Sequence, residues 1–438
     1  MDLPENVKEI TTETVSDSNT RTIVIPSTMT KLEASKELEK QYLNEEQVID
    51  LVAEFPEWQW KDVLISVKKV TEETFGWMNA VGSFFSDPTE IDIVVDIKNG
   101  KKVTEKGYIG NFKITTWDKA SANLSIDRAG TVHINVNVKR KHSKEVTQYF
   151  NMIREHLGSK SFYRGKSIVV TASPRGGVDF ELIENKCSDK IVLNSDERNV
   201  VDTFVIDALG EEAKRTYLFT GDYGNGKTEV AMQVGKEAVH KGISFFYLKD
   251  AKLFDSVLNK LKQYSPALLF VEDIDEIAGT EDRDAEMNKI LNTLDGVQTK
   301  GSSLTTIFTT NHIDRINSAL RRPGRIDLIV QFKNPDKEAV KKIYEIYFKK
   351  LNGYGDLNMD AIVERTPDCQ GAVIAEIAKR VVKLHDRKNH ITTEQVLACI
   401  VTMDYHIQIM KEQPKSVSSE TVFYEAYKTM VKEAYYGD

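Results

Sequence analysis

Few cysteines, no long apolar run and no basic excess mark this sequence, and each absence removes a class of function. Cys187, Cys369 and Cys399 are the only three cysteines in 438 residues, and no two of them form a CxxC pair. That excludes a disulfide framework and a cysteine zinc site, and it fits a reducing compartment. Nowhere does the chain hold the roughly 18 consecutive apolar residues that a membrane-spanning helix needs. The opening stretch, MDLPENVKEITTETVSDSNTRT, is acidic and threonine-rich and lacks the apolar core of a secretory signal. A cytoplasmic protein without a membrane span is therefore expected. With 59 basic and 67 acidic residues the net charge is −8, whereas a general nucleic-acid binder usually carries a basic excess. The 8 histidines are scattered, with no HExxH, and no Ser-His-Asp or Cys-His set is suggested, so a fused hydrolase of those kinds is not expected.

What is present is ample for packed cores: 40% of residues are apolar and 9% aromatic. The length implies about two or three domains. Residues 1–30 are polar and read as a disordered tail. Residues 31–190 read as an α+β domain that serves partner or cargo binding, or assembly. Its first helix is expected from Thr30 to Phe55, stopped by Pro56. The segments VLISVKKV, EIDIVVDI, GNFKITTW and TVHINVNV read as strands, because they alternate or are β-branched between turn residues. A helix over about Ser143–Leu157 and a last strand, KSIVVTAS, complete the module. Within it, Val138–Lys144 (VKRKHSK) is the most basic run, and its place between a strand and a helix reads as a solvated turn. Trp58, Trp60, Phe75, Trp77, Phe84 and Phe85 read as core, with a cargo surface as the lesser alternative.

From residue 191 strands and helices alternate at the period of βαβ units, which implies a parallel sheet covered on both faces. Residues 191–334 form this α/β domain, residues 335–412 a helical lid, and residues 413–438 an amphipathic tail. Between the strand TYLFT and a helix starting near Lys227 stands GDYGNGKT, a G-x-x-x-x-G-K-[ST] loop. Gly221, Gly224 and Gly226 allow the tight turn. The backbone of Gly221, Asp222, Tyr223, Gly224, Asn225 and Gly226, with the helix start, then faces phosphate oxygens. Lys227 is placed to reach the β- and γ-phosphates, and Thr228 to offer its hydroxyl to Mg²⁺. ATP and Mg²⁺ are thus the expected cofactors.

ALLFVEDID ends an apolar strand in acids, with Glu272 and Asp273 at the carboxyl edge of the sheet, where open α/β sheets bind ligands. One carboxylate is expected to hold the water shell of the metal, the other to orient an attacking water. Asn311 closes a further apolar strand, where its amide is placed to hold that water. Arg322 and Arg325 follow on a proline–glycine turn, from which a guanidinium reaches a neighbouring subunit more naturally than its own site.

Taken in order, these four motifs resemble the AAA-type ATPase module over about Lys190–Met410, roughly half the chain. LNTLDGV (Leu291–Val297), TTNHIDRINSALRRPGRID and the Glu-Asp order of VEDID are most similar to the mitochondrial Rieske-protein translocase branch, although the transmembrane helix of that branch is missing here. The resemblance implies that Glu272 takes the metal side and Asp273 activates water. By the same resemblance Asn311 is the first sensor, Arg322 and Arg325 are arginine fingers acting in trans, and Gly371 and Ala372 lie near the ribose. A homo-oligomeric ring of roughly six or seven subunits is implied. So is Mg-dependent ATP hydrolysis coupled to remodelling or translocation of a protein partner. The aromatic–glycine pore loop of threading members is absent, with Lys252, Leu253 and Phe254 nearest to its position. A nucleic-acid motor or loader, and a nucleotide-gated scaffold with slow hydrolysis, are the alternative readings.

Overall fold

The computed structural model describes residues 7–11, 22–26, 30–76, 89–114, 116–118, 120–174, 176–187, 191–211, 213–279, 290, 303–384, 390–404 and 407. Two compact units emerge. One comprises residues 1–164 and 172–184, the other residues 165–171 and 185–438. The motif LNTLDGV, the aromatics Trp77, Phe84 and Phe85, and the expected tail at 413–438 lie outside the described residues.

In the first unit, the segment read as a disordered tail carries β1 (Val7–Thr11) and β2 (Thr22–Pro26), paired antiparallel from Val7↔Pro26 to Thr11↔Thr22. The β-branched run Thr22–Ile25 explains the strand in a stretch otherwise poor in apolar residues. The helix expected over residues 30–55 is split. Thr30 and Glu33 form a capping box that starts α1 (Lys31–Glu46), and β3 (Val48–Phe55) follows after one residue. Ala53 and Phe55 point inward and Val52 outward. That is the alternation of a half-buried strand, and it takes over from the helical spacing at Val48.

The reverse substitution occurs at VLISVKKV. It was expected as a strand but lies in α2 (Trp60–Phe75). Val63, Val67, Val70 and Thr71 stand at helical spacing and are buried together with Leu64 and Ile65. Each apolar side chain so buried stabilises by about 1.5–3 kcal/mol, which outweighs the weak intrinsic preference of valine for strands. The other strands are β4 (Thr89–Lys98), β5 (Lys101–Ile114), β6 (Ala120–Ile126) and β7 (Val132–Lys139). Five described strands make an antiparallel sheet in the order β3-β7-β6-β5-β4. Both α2 and α3 (Ser143–Ser159) pack on it, and their apolar residues share its core. Gly107 lets α2 approach β5 closely, since a Cβ there would stand 2.8 Å from Ile93 Cδ1 and 3.0 Å from Leu64 Cβ. In the basic turn, Lys139 and Lys141 are both paired with Glu46 and Asp118, so two of its four lysine and arginine charges are neutralised within the unit.

KSIVVTAS belongs elsewhere than expected. It forms β8 (Ser167–Ala172), which pairs in parallel with β11 (Ser244–Leu248) of the second unit; β9 (Val178–Leu182) returns to the first unit. The second unit adds α4 (Ser195–Val201), β10 (Lys214–Gly221), α5 (Lys227–His240), α6 (Phe254–Leu261), β12 (Ala267–Val271), β13 (Leu304–Thr310) and β14 (Leu328–Phe332). Its strands run in parallel in the order β14-β10-β13-β12-β11-β8. The central strands β12 and β13 are buried along their whole length, β12 as a continuous apolar run, whereas β14 alternates buried and exposed residues. The register Thr220↔Thr310 and Val271↔Phe308 brings the carboxyl ends of β10, β12 and β13 together. The lid comprises α7 (Lys337–Phe348), α8 (Met359–Arg365), α9 (Gly371–Leu384) and α10 (Thr393–Val401). They enclose a core of their own that includes Tyr344, Phe348, Ile374 and Ile400, with Cys369 and Cys399 buried in it.

Candidate nucleotide site

At the end of β10 the chain turns sharply because Gly221 adopts φ 145°, and a Cβ there would lie 2.2 Å from the Phe332 carbonyl oxygen. Gly226, at φ 85°, caps α5. The buried Lys227 folds back over its own loop, and its Nζ donates to the Gly221 and Asp222 carbonyls at 2.7 and 2.8 Å. Burial lowers its pKa, opposed by the nearby Asp273, Asp222 and Asp275 carboxylates. A cluster of backbone N–H groups, a helix start and a lysine thus converge at one point, the requirement of a phosphate cradle.

A network of acids, hydroxyls and an amide lies beside this cradle. Thr228 Oγ1 donates to Glu272 Oε1 at 2.9 Å. Tyr247 at the end of β11 donates its hydroxyl to Glu272 Oε2. Burial, then that carboxylate, push the Tyr247 phenol well above its ordinary range, so it stays a donor. Asp273, the next residue, adopts a left-handed backbone at φ 44°. Its N–H donates to Thr309 Oγ1 at 3.0 Å, and its Oδ1 accepts from Asn311 Nδ2 at 3.0 Å. Burial, with Glu272 and Asp275 close by, raises the Asp273 pKa against the opposing pull of Lys227. Asp275 is buried and accepts from Thr310 Oγ1 at 2.6 Å and from the Asn311 N–H at 3.3 Å, fastening the end of β13 beside the acids.

Of these groups, Lys227, Thr228, Glu272, Asp273 and Asn311 line one end of a cleft of about 810 Å³. Its other end is apolar, with Val192, Ile343, Ile346, Tyr347 and Ala375 along the walls. Gly371 and Ala372 lie between the two ends. The Ala372 N–H donates to the Gly224 carbonyl at 3.0 Å and the Gly371 N–H to Asn225 Oδ1 at 3.4 Å. A Cβ on Gly224 would stand 3.0 Å from Ala372 Cβ, so both residues must be small. An apolar slot leading to a cradle of donors suits a nucleotide, base inward and phosphates on the loop. Thr228 and Glu272, side by side at the cradle, supply the hard oxygen donors that suit Mg²⁺.

Of the residues singled out from sequence, Gly224, Asn225, Gly226, Lys227, Thr228, Tyr223, Glu272, Asp273, Asn311, Gly371 and Ala372 line this cleft. Gly221 and Asp222, whose carbonyls hold Lys227, are not among its lining residues, and neither are Arg322 and Arg325. Arg325 Nη1 donates to the Ala319 carbonyl at 2.9 Å, and Arg322 is exposed. Their turn leads into Asp327, which bonds Thr216 through both backbone and side chain. Thr216 lies five residues before Gly221, so the turn stands roughly 17 Å along the strand from the phosphate loop. Phe254, weighed as a pore-facing residue, is only 1% exposed and packs on Phe308; Lys252 is exposed. Sequence reasoning missed Tyr247, Thr309 and the bond from Asn225 Nδ2 to Asn334 Oδ1 at 3.2 Å. Tyr247 and Glu272 share a face only through the register Tyr247↔Phe270, which local alternation does not reveal, and nothing in the sequence marks Asn334.

Residues 217–334 match the profile of the family described as "ATPase family associated with various cellular activities (AAA)". Among curated proteins, the chain is 30% identical over 225 residues to the 26S proteasome regulatory subunit 4 homolog of Schizosaccharomyces pombe, covering 46% of this chain and 47% of that protein. It is 29% identical over 242 residues to 26S proteasome regulatory subunit 8 of Caenorhabditis elegans, covering 50% and 55%. The ATP-dependent zinc metalloprotease FtsH 4 of Synechocystis is 27% identical over 201 residues, covering 41% and 32%. The chain thus spans about half the length of the two proteasome subunits it matches. The phosphate-loop motif, the two acids and Asn311 all fall within the matched stretch: residues 217–334 are an AAA-family ATPase domain.

Proposed function

We propose that this protein hydrolyses ATP as a ring of identical copies and uses the turnover to remodel or translocate a protein partner. The observation that carries the reading is the pair of contacts Thr228–Glu272 and Asn311–Asp273, which sorts two adjacent acids into different tasks. Glu272, bonded to Thr228, is on the side where Mg²⁺ would be held, and that ion would offset phosphate charge when bound. Asp273, raised in pKa and held by Asn311, is placed to take a proton from the attacking water. Lys227 exchanges its two loop carbonyls for phosphate oxygens. Arg322 and Arg325, distant from their own loop, complete the site of a neighbour. The lid is bonded to the phosphate loop through Ala372 and Gly371, so movement of the loop on nucleotide loss is passed to the lid helices.

A protein as the partner is supported by relatives that are proteasome regulatory subunits and a protease. The paired charges of the Val138–Lys144 turn weigh against the nucleic-acid alternative. Within the family, the Glu272–Asp273 order and the missing aromatic–glycine loop favour the Rieske-translocase type of member, which moves folded cargo.

Asp273→Asn tests the reading, because it keeps the shape and removes the base. Nucleotide affinity should persist while phosphate release falls by about two to four decades. Turnover within a few-fold of wild type would move the base to another carboxylate.

A further inference from the structure

Glu272 makes one contact that the reading above does not use. Its Oε1 faces Thr228, yet its Oε2 is held by a residue from another strand, Tyr247. The geometry follows from strand register. β11 and β12 pair in parallel with Tyr247 opposite Phe270, and the Glu272 N–H donates to the Leu248 carbonyl at 3.1 Å. Phe270 and Glu272 are two residues apart and share a face of the chain. The Tyr247 ring lies flat on Phe270, centroids 5.1 Å apart and planes 7° from parallel, so its hydroxyl projects past Phe270 to the acid. Lys249 Nζ stands 5.5 Å from the centre of the same ring. Tyr247 therefore has its ring fixed by a buried aromatic and its hydroxyl committed to one oxygen of one carboxylate.

A glutamate has one more rotatable bond than an aspartate, so a glutamate on the metal side of such a site needs something to hold it. We propose that Tyr247 is the positioning residue for Glu272: it binds Oε2, leaves Oε1 beside Thr228, and so presents a single fixed oxygen toward Mg²⁺. The proposal rests on the reading of Glu272 as the metal-side acid. It accounts for two features together, a tyrosine hydroxyl committed to a cleft-lining carboxylate and a glutamate tied at both oxygens.

The test is equilibrium binding of a fluorescent ADP, with Mg²⁺ and separately with EDTA, to wild type, Tyr247→Phe, Glu272→Asp and the double variant. Phenylalanine keeps the stack on Phe270 and loses only the hydroxyl. Tyr247→Phe should weaken binding about tenfold with Mg²⁺ and leave it unchanged in EDTA, in line with loss of one hydrogen bond to a charged group. In the Glu272→Asp background the tyrosine substitution should have no further effect, because the shorter acid no longer spans Thr228 and Tyr247. Equal losses with and without Mg²⁺ would make Tyr247 a packing residue and overturn the proposal. So would no loss in Tyr247→Phe, or an undiminished loss in the double variant. A wild type that binds ADP no better with Mg²⁺ than without it would overturn the metal-side reading of Glu272, and the proposal with it.

Discussion

Asp273 is held in a left-handed backbone by Thr309, whose side-chain oxygen accepts the Asp273 N–H at 3.0 Å while Asn311 grips the Asp273 carboxylate at 3.0 Å. A non-glycine residue at φ 44° costs of order 1–3 kcal/mol. The arrangement persists because β12 and β13 are paired up to Val271↔Phe308, which leaves both contacts to the residues just beyond. The strain turns the Asp273 side chain toward β13 rather than along its own strand.

Thr309→Val should expose that dependence. Valine preserves shape in a position that is fully buried, but the Asp273 N–H then loses its acceptor. Leaving such a donor unpaired costs about 1–3 kcal/mol, and the backbone should relax out of the left-handed region. Turnover is expected to fall about tenfold or more, with nucleotide affinity little changed because Thr309 does not line the cleft. Phosphate-release kinetics beside nucleotide titration would check it. A loss confined to affinity would contradict the argument.

How much of this was legible beforehand differs by element. GDYGNGKT and VEDID stand out in the sequence because they are local patterns whose chemistry dictates residue type at fixed spacing, and the structure brings them to one cleft. VLISVKKV does not stand out as a helix, since its β-branched residues mimic a strand and only burial of Val63, Val67, Val70 and Thr71 on one side reveals the helical period. KSIVVTAS reads as a strand from its own pattern, but its pairing with β11 depends on a partner 78 residues away in sequence (245 − 167), beyond the reach of local pattern. The tie of Asn225 to Asn334 and of Gly224 to Ala372 arises from packing of distant segments and leaves no local signature.

Asp62 offers a test of the first unit. It lies in α2 at 1% exposure, and neither Oδ atom makes a well-formed hydrogen bond, although Ser161 and the Phe162 N–H lie alongside. Burial pushes its pKa up to about 7, against the weaker pull of Ser161, Phe162, Lys69 and Arg164. The native state therefore binds the proton more tightly than the unfolded chain, whose aspartate titrates near 4. Linkage then makes stability fall as pH rises from about 4 to about 7, and level off above. The melting temperature of this unit should drop over that window, and Asp62→Asn should flatten the dependence and be the more stable form at pH 8. A wild-type melting temperature that climbs between pH 5 and pH 7, with the variant following it, would refute the assignment.

Arg322 is exposed on a turn roughly 17 Å along the strand from its own phosphate loop, whereas Arg325 is tied to the Ala319 carbonyl. Arg322→Ala is therefore the cleaner probe, because it leaves the turn's own bond in place. Should the fingers act in trans, the wild-type rate per subunit must rise with protein concentration, since a lone copy lacks them. Arg322→Ala should bind ATP normally yet lose up to about three to five decades of turnover if it is the finger, and Arg325→Ala should do so if the role falls there. Lys227→Ala should fail to bind nucleotide while keeping its own turn intact. Mixing it with the inactive arginine variant creates interfaces that pair a complete loop with a complete finger, so part of the activity should return. A rate independent of concentration, with no recovery on mixing, would mean that each copy works alone, and the ring would fall.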